Sequence, residues 1–279
     1  MAVDWSKNND REIPEGFKAD SLGIIVNKQF EEIYHNYPTG ALPLFDEEYF
    51  EWIDLLEAVK GAKDTFTMFE IGAGFGRWSA RGAALANRNG LKYDLTAVEP
   101  EPVHYQWLLQ HSRTNKIDFR KEQLINAVLS TRNGSCWLAL ALNDPKKWYG
   151  QAMFTDWQHY HLGHAFGIFP RKLPCEFIKV KQIRAKEIFV EKPSIDLIDI
   201  DVQGQELTIL RAVKRELCEK TRRVHIGTHT NKIEANLRSL FTKLGWRKIF
   251  DFPTNSTVET EYGIISFADG VQSWINPNC

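Results

Sequence analysis

An α/β domain with a doubly wound, mostly parallel sheet, an antiparallel C-terminal strand and an N-terminal extension is the fold class this sequence predicts, on three observations. Short apolar runs alternate with stretches of helical spacing, as in a parallel sheet covered on both faces. A glycine-rich turn, EIGAGFGRWS at residues 70–79, closes the run Phe66, Met68, Phe69, Ile71 and opens a helix. Acids stand at the tips of two further candidate strands, Glu99 and Asp201.

Residues 1–45, punctuated by Pro14, Gly16, Gly23, Pro38, Gly40 and Pro43, read as an extension able to serve as a lid, with a short helix from Val26 to Tyr34. Residues 46–279 form the domain proper. Asp46 is placed to cap a helix carrying Phe50, Ile53, Leu56 and Val59, which Gly61 ends. The first strand and the glycine turn follow, then a helix from Arg77 to Asn87, a second strand over Tyr93–Val98, a helix from Glu101 to Arg113 and a third strand near Leu124–Leu129. Asn133 and Gly134 signal a hairpin into an extra strand, Ser135–Leu140. Ile195–Asp201 is the fourth strand, Glu206–Leu217 a helix, Arg223–Gly227 the fifth strand and Lys232–Leu244 a helix. Two late strands, near Arg247–Phe252 and Tyr262–Phe267, are expected to pair antiparallel.

Composition narrows the function. With 35 Lys plus Arg against 36 Asp plus Glu in 279 residues, and a net charge of -1, the chain has no general attraction for nucleic acid or anionic membrane, and neither is expected as a partner. No apolar run approaches the roughly 20 residues that span a bilayer. The N-terminal segment MAVDWSKNNDREIPEG has no apolar signal core, and Cys136, Cys175, Cys218 and Cys279 show no C-x-x-C spacing, so a reduced, cytoplasmic protein is expected.

The glycine turn points to a cofactor. Gly72, Gly74 and Gly76 free the backbone to turn tightly and lie against a ligand, while the following helix offers unpaired N–H groups. A dinucleotide fingerprint needs its third glycine at position 77, where Arg77 stands. The G-x-G-x-G spacing after Glu70 favours S-adenosylmethionine, whose cationic amino-acid end suits a carboxylate. Glu99 at the second strand tip is placed to accept hydrogen bonds from ribose hydroxyls. Asp199 and Asp201 project from one face of the fourth strand, Asp201 nearer the tip, and open α/β sheets bind ligands at those carboxyl ends. His225 reads as a core histidine, whereas His229 at the fifth strand tip is the candidate general base.

The segments EIGAGFGRWS, VEPEP, INAVLS, DLIDIDVQGQE and HIGTHT together resemble, in the same order, the FkbM-type S-adenosylmethionine-dependent methyltransferases, over roughly residues 66–230. The resemblance implies a Rossmann-like class I methyltransferase fold and O-methylation of sugar, glycoside or natural-product hydroxyls. It puts Glu70, Gly72, Ala73, Gly76, Ser79, Glu99 and Asn126 on cofactor-side positions, with Asp201, Gly204, Glu206 and His229 at or beside the active site. The chain departs from the family pattern at Asp199, where a lysine is usual, and at Gln203 and Gly227, where glutamates are usual. The charge reversal at Asp199 brings in a divalent metal, magnesium or manganese, on Asp199, Asp201 and His229 as a candidate.

The segment 142–174 is too long for a plain connection and rich in aromatic residues. Trp148, Tyr149, Trp157, His159 and Tyr160 are its candidates for binding a small-molecule or saccharide acceptor, since aromatic faces stack on sugar rings. Covering a sheet edge or forming a homo-oligomer interface competes with that role. A nicotinamide-dependent oxidoreductase and a catalytically inactive cofactor-binding protein stand as alternative functions.

Overall fold

The computed structural model describes residues 12–30, 42–119, 123–141, 152–154 and 175–279. Two short strands, β1 (Phe17–Ala19) and β2 (Ile25–Asn27), pair antiparallel. Then follow α1 (Tyr49–Gly61), β3 (Thr65–Ile71), α2 (Arg77–Arg88), β4 (Lys92–Val98), α3 (Pro102–Thr114), β5 (Leu124–Ile125), β6 (Val128–Ser130), β7 (Gly134–Ala141), β8 (Ala152–Phe154) and β9 (Cys175–Arg184). The remainder is α4 (Ala185–Val190), β10 (Leu197–Ile200), α5 (Glu206–Ala212), α6 (Lys214–Lys220), β11 (Arg223–Thr228), α7 (Asn231–Lys243), β12 (Arg247–Phe252), β13 (Ser256–Thr260), β14 (Gly263–Phe267) and β15 (Gly270–Ile275).

The main sheet has seven strands in the order β12-β15-β11-β10-β3-β4-β5. Neighbours from β11 to β5 pair parallel, and β15 alone runs antiparallel, between β11 and β12. The expected doubly wound class, with its antiparallel C-terminal strand, is therefore the observed one. Strand order doubles back between β3 and β10, which opens the crevice where such sheets take ligands. β3 and β10 are buried along nearly their whole length, as strands covered on both faces must be.

Cross-strand register sets up the site. Asp199 on β10 lies opposite Glu70 on β3 and His225 on β11, and His225 lies opposite Ser273 on β15. One polar residue per strand thus forms a row across the sheet. Helix α1 packs over β10 and β11 and sends Asp54, fully buried, toward that row. Apolar residues of α1, such as Trp52, Leu55 and Val59, join Phe66, Met68 and Trp78 in one of the two large cores.

Several expected elements differ. Val26, at the start of the expected helix, belongs to β2, because Leu22, Ile24, Val26 and Phe30 turn into the same core as α1 and β3; residues 31–34 of that expectation lie outside the described residues. Asp20 anchors that hairpin through an ion pair with Arg81 at 3.1 Å. Glu48, not Asp46, is the N-cap of α1, and Asp46 instead accepts the backbone N–H of Glu48. The expected third strand divides into β5, in the main sheet, and β6, in a second sheet ordered β6-β9-β7-β8. Asn133 and Gly134 do turn the chain, but β9 lies between β6 and β7, so no hairpin forms. The helix expected over Glu206–Leu217 breaks at Val213 into α5 and α6. The two late strands do not pair: β14 pairs with β13, and the partner of β12 is β15. Alternation of side chains identifies a strand, but partner choice depends on contacts far away in sequence.

Candidate functional site

A cavity of about 340 Å³ opens where the tips of β3, β4, β10 and β11 converge. Its floor is the turn Ile71–Phe75, and its walls come from the start of α1, from Glu99–Pro100, from Ala127–Leu129, from Asp201–Gln203 and from Asp269–Val271. Gly72 is required here. Its φ is +86°, and a Cβ would stand 1.7 Å from the carbonyl oxygen of Asp201, so the β10 tip presses directly on the turn. The Asp201 N–H donates to the Ile71 carbonyl at 2.9 Å and locks that approach. Gly76 caps α2 in the left-handed region, where a Cβ would meet Leu108 at 2.3 Å.

Glu70 accepts the N–H groups of Trp78 and Ser79 at 3.0 and 2.9 Å, satisfying two donors at the N-terminus of α2. Burial, reinforced by the negative charge of Asp199, lifts its carboxyl to about 7. Glu99 accepts the N–H of Gly74 and that of Glu101, each at 2.8 Å. Burial outweighs these two bonds and pushes Glu99 to about 8. Glu70, Gly72, Ala73, Gly74 and Glu99 all line the cavity. Ser79, Gly76 and Asn126 do not: Asn126 donates to the Glu99 carbonyl at 2.8 Å and so fixes the loop bearing that carboxylate. Their positions are structural supports one layer behind the wall.

Two histidines sit in carboxylate clusters of opposite character. In the first, Glu51, Asp199 and His225 bring ligand atoms within 4.8 Å of one another, and all three face the cavity. His225 Nδ1 lies 2.7 Å from Asp54, which also accepts the Ser273 hydroxyl at 2.7 Å and pairs with Arg223. Burial raises Asp199 to about 6. Burial, and next the charge of Asp199, raises Glu51 well above its usual range.

In the second, His229 Nδ1 is 3.0 Å from Glu206 and Nε2 is 3.1 Å from Asp201. Burial by itself would lower the imidazole, but these two carboxylates override it and push His229 up to about 11. Asp201 moves the other way: His229 outweighs burial and holds its half-exposed carboxyl below the usual range. The fully buried Glu206 also accepts the Gly204 N–H at 2.9 Å, so it shapes the loop after β10, where Gln203 and Gly204 take positive φ.

This geometry corrects three expectations. His229 does not line the cavity, and the two carboxylates beside it push its imidazole toward the charged form, which disfavours it as the proton acceptor; Asp201 forms the wall in front of it. The metal set Asp199, Asp201 and His229 is not one cluster, since Asp199 groups with Glu51 and His225 while Asp201 and His229 group with Glu206. His225 is more than a core histidine, because it is buried yet lines the cavity. Trp148, Tyr149, Trp157, His159 and Tyr160 lie outside the described residues. Residues missed by sequence reasoning are Glu47, Glu48, Glu51 and Asp54, on or just before α1, and Asp269. Their signal was available: acids at 47, 51 and 54 recur at helical spacing on a helix that otherwise buries apolar groups.

Among the described residues, no helix is long and apolar enough to cross a membrane. The model of the FkbM methyltransferase domain matches residues 70–247, well over half of the chain, and shows its family. A protein of Jannaschia sp. (strain CCS1), whose name proposes a methyltransferase, is 28% identical over 207 residues, covering 74% of this chain and 71% of its own. Among solved structures, methyltransferase FkbM from Methylobacillus flagellatus KT aligns at a TM-score of 0.44 and 12% identity, over 77% of this chain and 45% of that one. Precorrin-6y C5,15-methyltransferase from Geobacter metallireducens GS-15 aligns at 0.44 and 12%, over 86% and 94%.

Proposed function

We propose a reaction for a chain that belongs to the FkbM methyltransferase family: transfer of a methyl group from S-adenosylmethionine to a hydroxyl oxygen of a small molecule, such as a sugar, a glycoside or a natural product. The observation that carries the cofactor is the charge of the cavity. Carboxylates of Glu47, Glu48, Glu51, Glu70, Glu99, Asp199, Asp201 and Asp269 line it, against the guanidinium of Arg77, which is paired with Glu48. Burial holds several of these carboxyls toward the neutral form, and a cation brought among them restores their charge, so the wall suits a ligand carrying a sulfonium and an ammonium group better than the diphosphate of a nicotinamide dinucleotide. The backbone cradle at Gly72, where any Cβ would collide with Asp201, fits a ligand lying against the main chain.

When bound, the cofactor supplies an electrophilic methyl. Glu99 would accept hydrogen bonds from the ribose hydroxyls, and Glu70 would attract the cationic amino-acid end. Asp201, kept ionised by His229, accepts a hydrogen bond from the acceptor hydroxyl and takes its proton as the new bond forms. A carboxylate suffices because the hydroxyl becomes strongly acidic once its oxygen is partly alkylated. Alignment of the reactants is worth about 7–11 kcal/mol in favourable cases, and a positioned base about 10²- to 10⁴-fold.

Calorimetric titration with S-adenosylmethionine and, separately, NAD tests the cofactor: the first should bind and the second should not, and the reverse would abandon the reading. A screen of nucleotide sugars and glycosides, read by mass, should find one product heavier by a methyl group that stays on oxygen after mild hydrolysis. Transfer to nitrogen or carbon alone would refute the O-methyl assignment.

A further inference from the structure

We propose that Glu51, Asp199 and His225 form a binding site for a divalent first-row transition metal ion on the α1 side of the cavity. Each contributes one ligand atom, and the three atoms fall within 4.8 Å of one another, the span of donors around a single ion. Two carboxylates and an imidazole are the donor types such ions take, and an ion would displace the proton in the hydrogen bond that Glu51 and Asp199 now make with each other.

The arrangement around His225 points independently to a ligand. The residue is 4% exposed, and its Nδ1 is engaged by Asp54 at 2.7 Å. Nε2 has no protein partner among the described residues, and the side chain lines the cavity. A carboxylate on one ring nitrogen orients the ring and raises the basicity of the other, the arrangement found behind metal-bound histidines. Asp54 is in turn held by Ser273 and Arg223, so the orienting group cannot swing away. Sheet register fixes the rest: Asp199 and His225 are direct neighbours on β10 and β11, and Glu51 lies one turn before Asp54 on the helix that covers them. The site also makes sense of the departure at Asp199, where the family pattern has a lysine: one positive charge is removed and a cation can take its place. Remaining coordination positions face the cavity, open to water or an oxygen of the acceptor.

The test needs neither cofactor nor acceptor, so its outcome is separate from that of the methyl-transfer reading. Full-length protein is stripped with chelator and titrated with Mn²⁺, followed by calorimetry and by pulsed electron paramagnetic resonance. One ion should bind per chain, with nitrogen coupling from one imidazole. Glu51→Gln, at the cavity wall, should weaken binding about tenfold or more, and Asp54→Asn, which only orients His225, by about 10- to 100-fold. Glu206→Gln should leave binding within twofold. Absence of Mn²⁺ binding to the native chain, absence of nitrogen coupling, or a loss caused by Glu206→Gln and not by Glu51→Gln would each overturn the proposal. If Asp54→Asn fails to fold, Glu51→Gln and the nitrogen coupling decide.

Discussion

His225 and His229 lie four positions apart on one strand and the turn after it, each beside an aspartate of the motif DID, yet their surroundings give them different chemistry. His225 is held by a carboxylate on one nitrogen and presents the other to the cavity. His229 is hydrogen-bonded to Glu206 through Nδ1 and has Asp201 3.1 Å from Nε2 as an ion-pair contact, so carboxylates on both sides push it toward the cation. The difference teaches that the partner of the second ring nitrogen decides what a histidine can do. A carboxylate on one side only leaves a donor for a ligand, whereas carboxylates on both sides convert the ring into a fixed positive charge that steadies an acid.

The largest test of the contrast lies under His225. Arg223→Met removes the cation from Asp54 and leaves a buried carboxylate undercompensated, so stability should fall by about 3–5 kcal/mol in urea unfolding. A loss under about 1 kcal/mol would mean that Ser273 and His225 hold Asp54 without the ion pair.

A smaller and pH-dependent effect is expected at His229. Its folded value of about 11 lies above the ordinary 6.5, so its stabilisation is complete below about 6.5 and disappears as pH rises toward 11. His229→Gln should therefore be less stable than the native chain near pH 6, with the gap closing by about pH 10–11. A gap constant across that range would show that the imidazole is not held as a cation. The same charge state predicts no limb near pH 6.5 in the rate profile that His229→Gln abolishes.

The smallest effect concerns Gly227, which sits between the two histidines where the family pattern has glutamate. A Cβ there would stand 3.0 Å from Cγ of Asp201 and 3.2 Å from Oδ2. Gly227→Ala should push that carboxyl by a few tenths of an ångström. Since a misplacement of about 1 Å can cost about 10²-fold, turnover should drop about tenfold or less, with cofactor affinity kept. Unchanged turnover would remove Asp201 from the reacting centre.

Much of the site was readable along the chain because its parts are local. Gly72, Gly74, Glu70 and Glu99 announce themselves by glycine spacing and by acids at strand tips, and all of them line the cavity. Ser79 and Asn126 were legible as important and misread in kind, since a motif shows that a polar group is needed but not whether it faces ligand or backbone. The acids of α1 were passed over because they sit among apolar neighbours at the same helical spacing, and only the row they meet gives them a purpose.

What the sequence by itself determined is the order of the parallel strands β3, β4, β10 and β11, the turn at Gly72 and the acids at the ends of β3, β4 and β10. Those follow from short-range rules: side chains alternate on a strand, and a residue without Cβ is needed where backbone meets backbone. Only the tertiary structure decided that β15 enters between β11 and β12, that His229 sits between Glu206 and Asp201 and that His225 groups with Glu51 and Asp199. His225 and Asp54 are 171 positions apart, and contacts over that distance arise from sheet register and helix docking, which join residues that no local pattern connects.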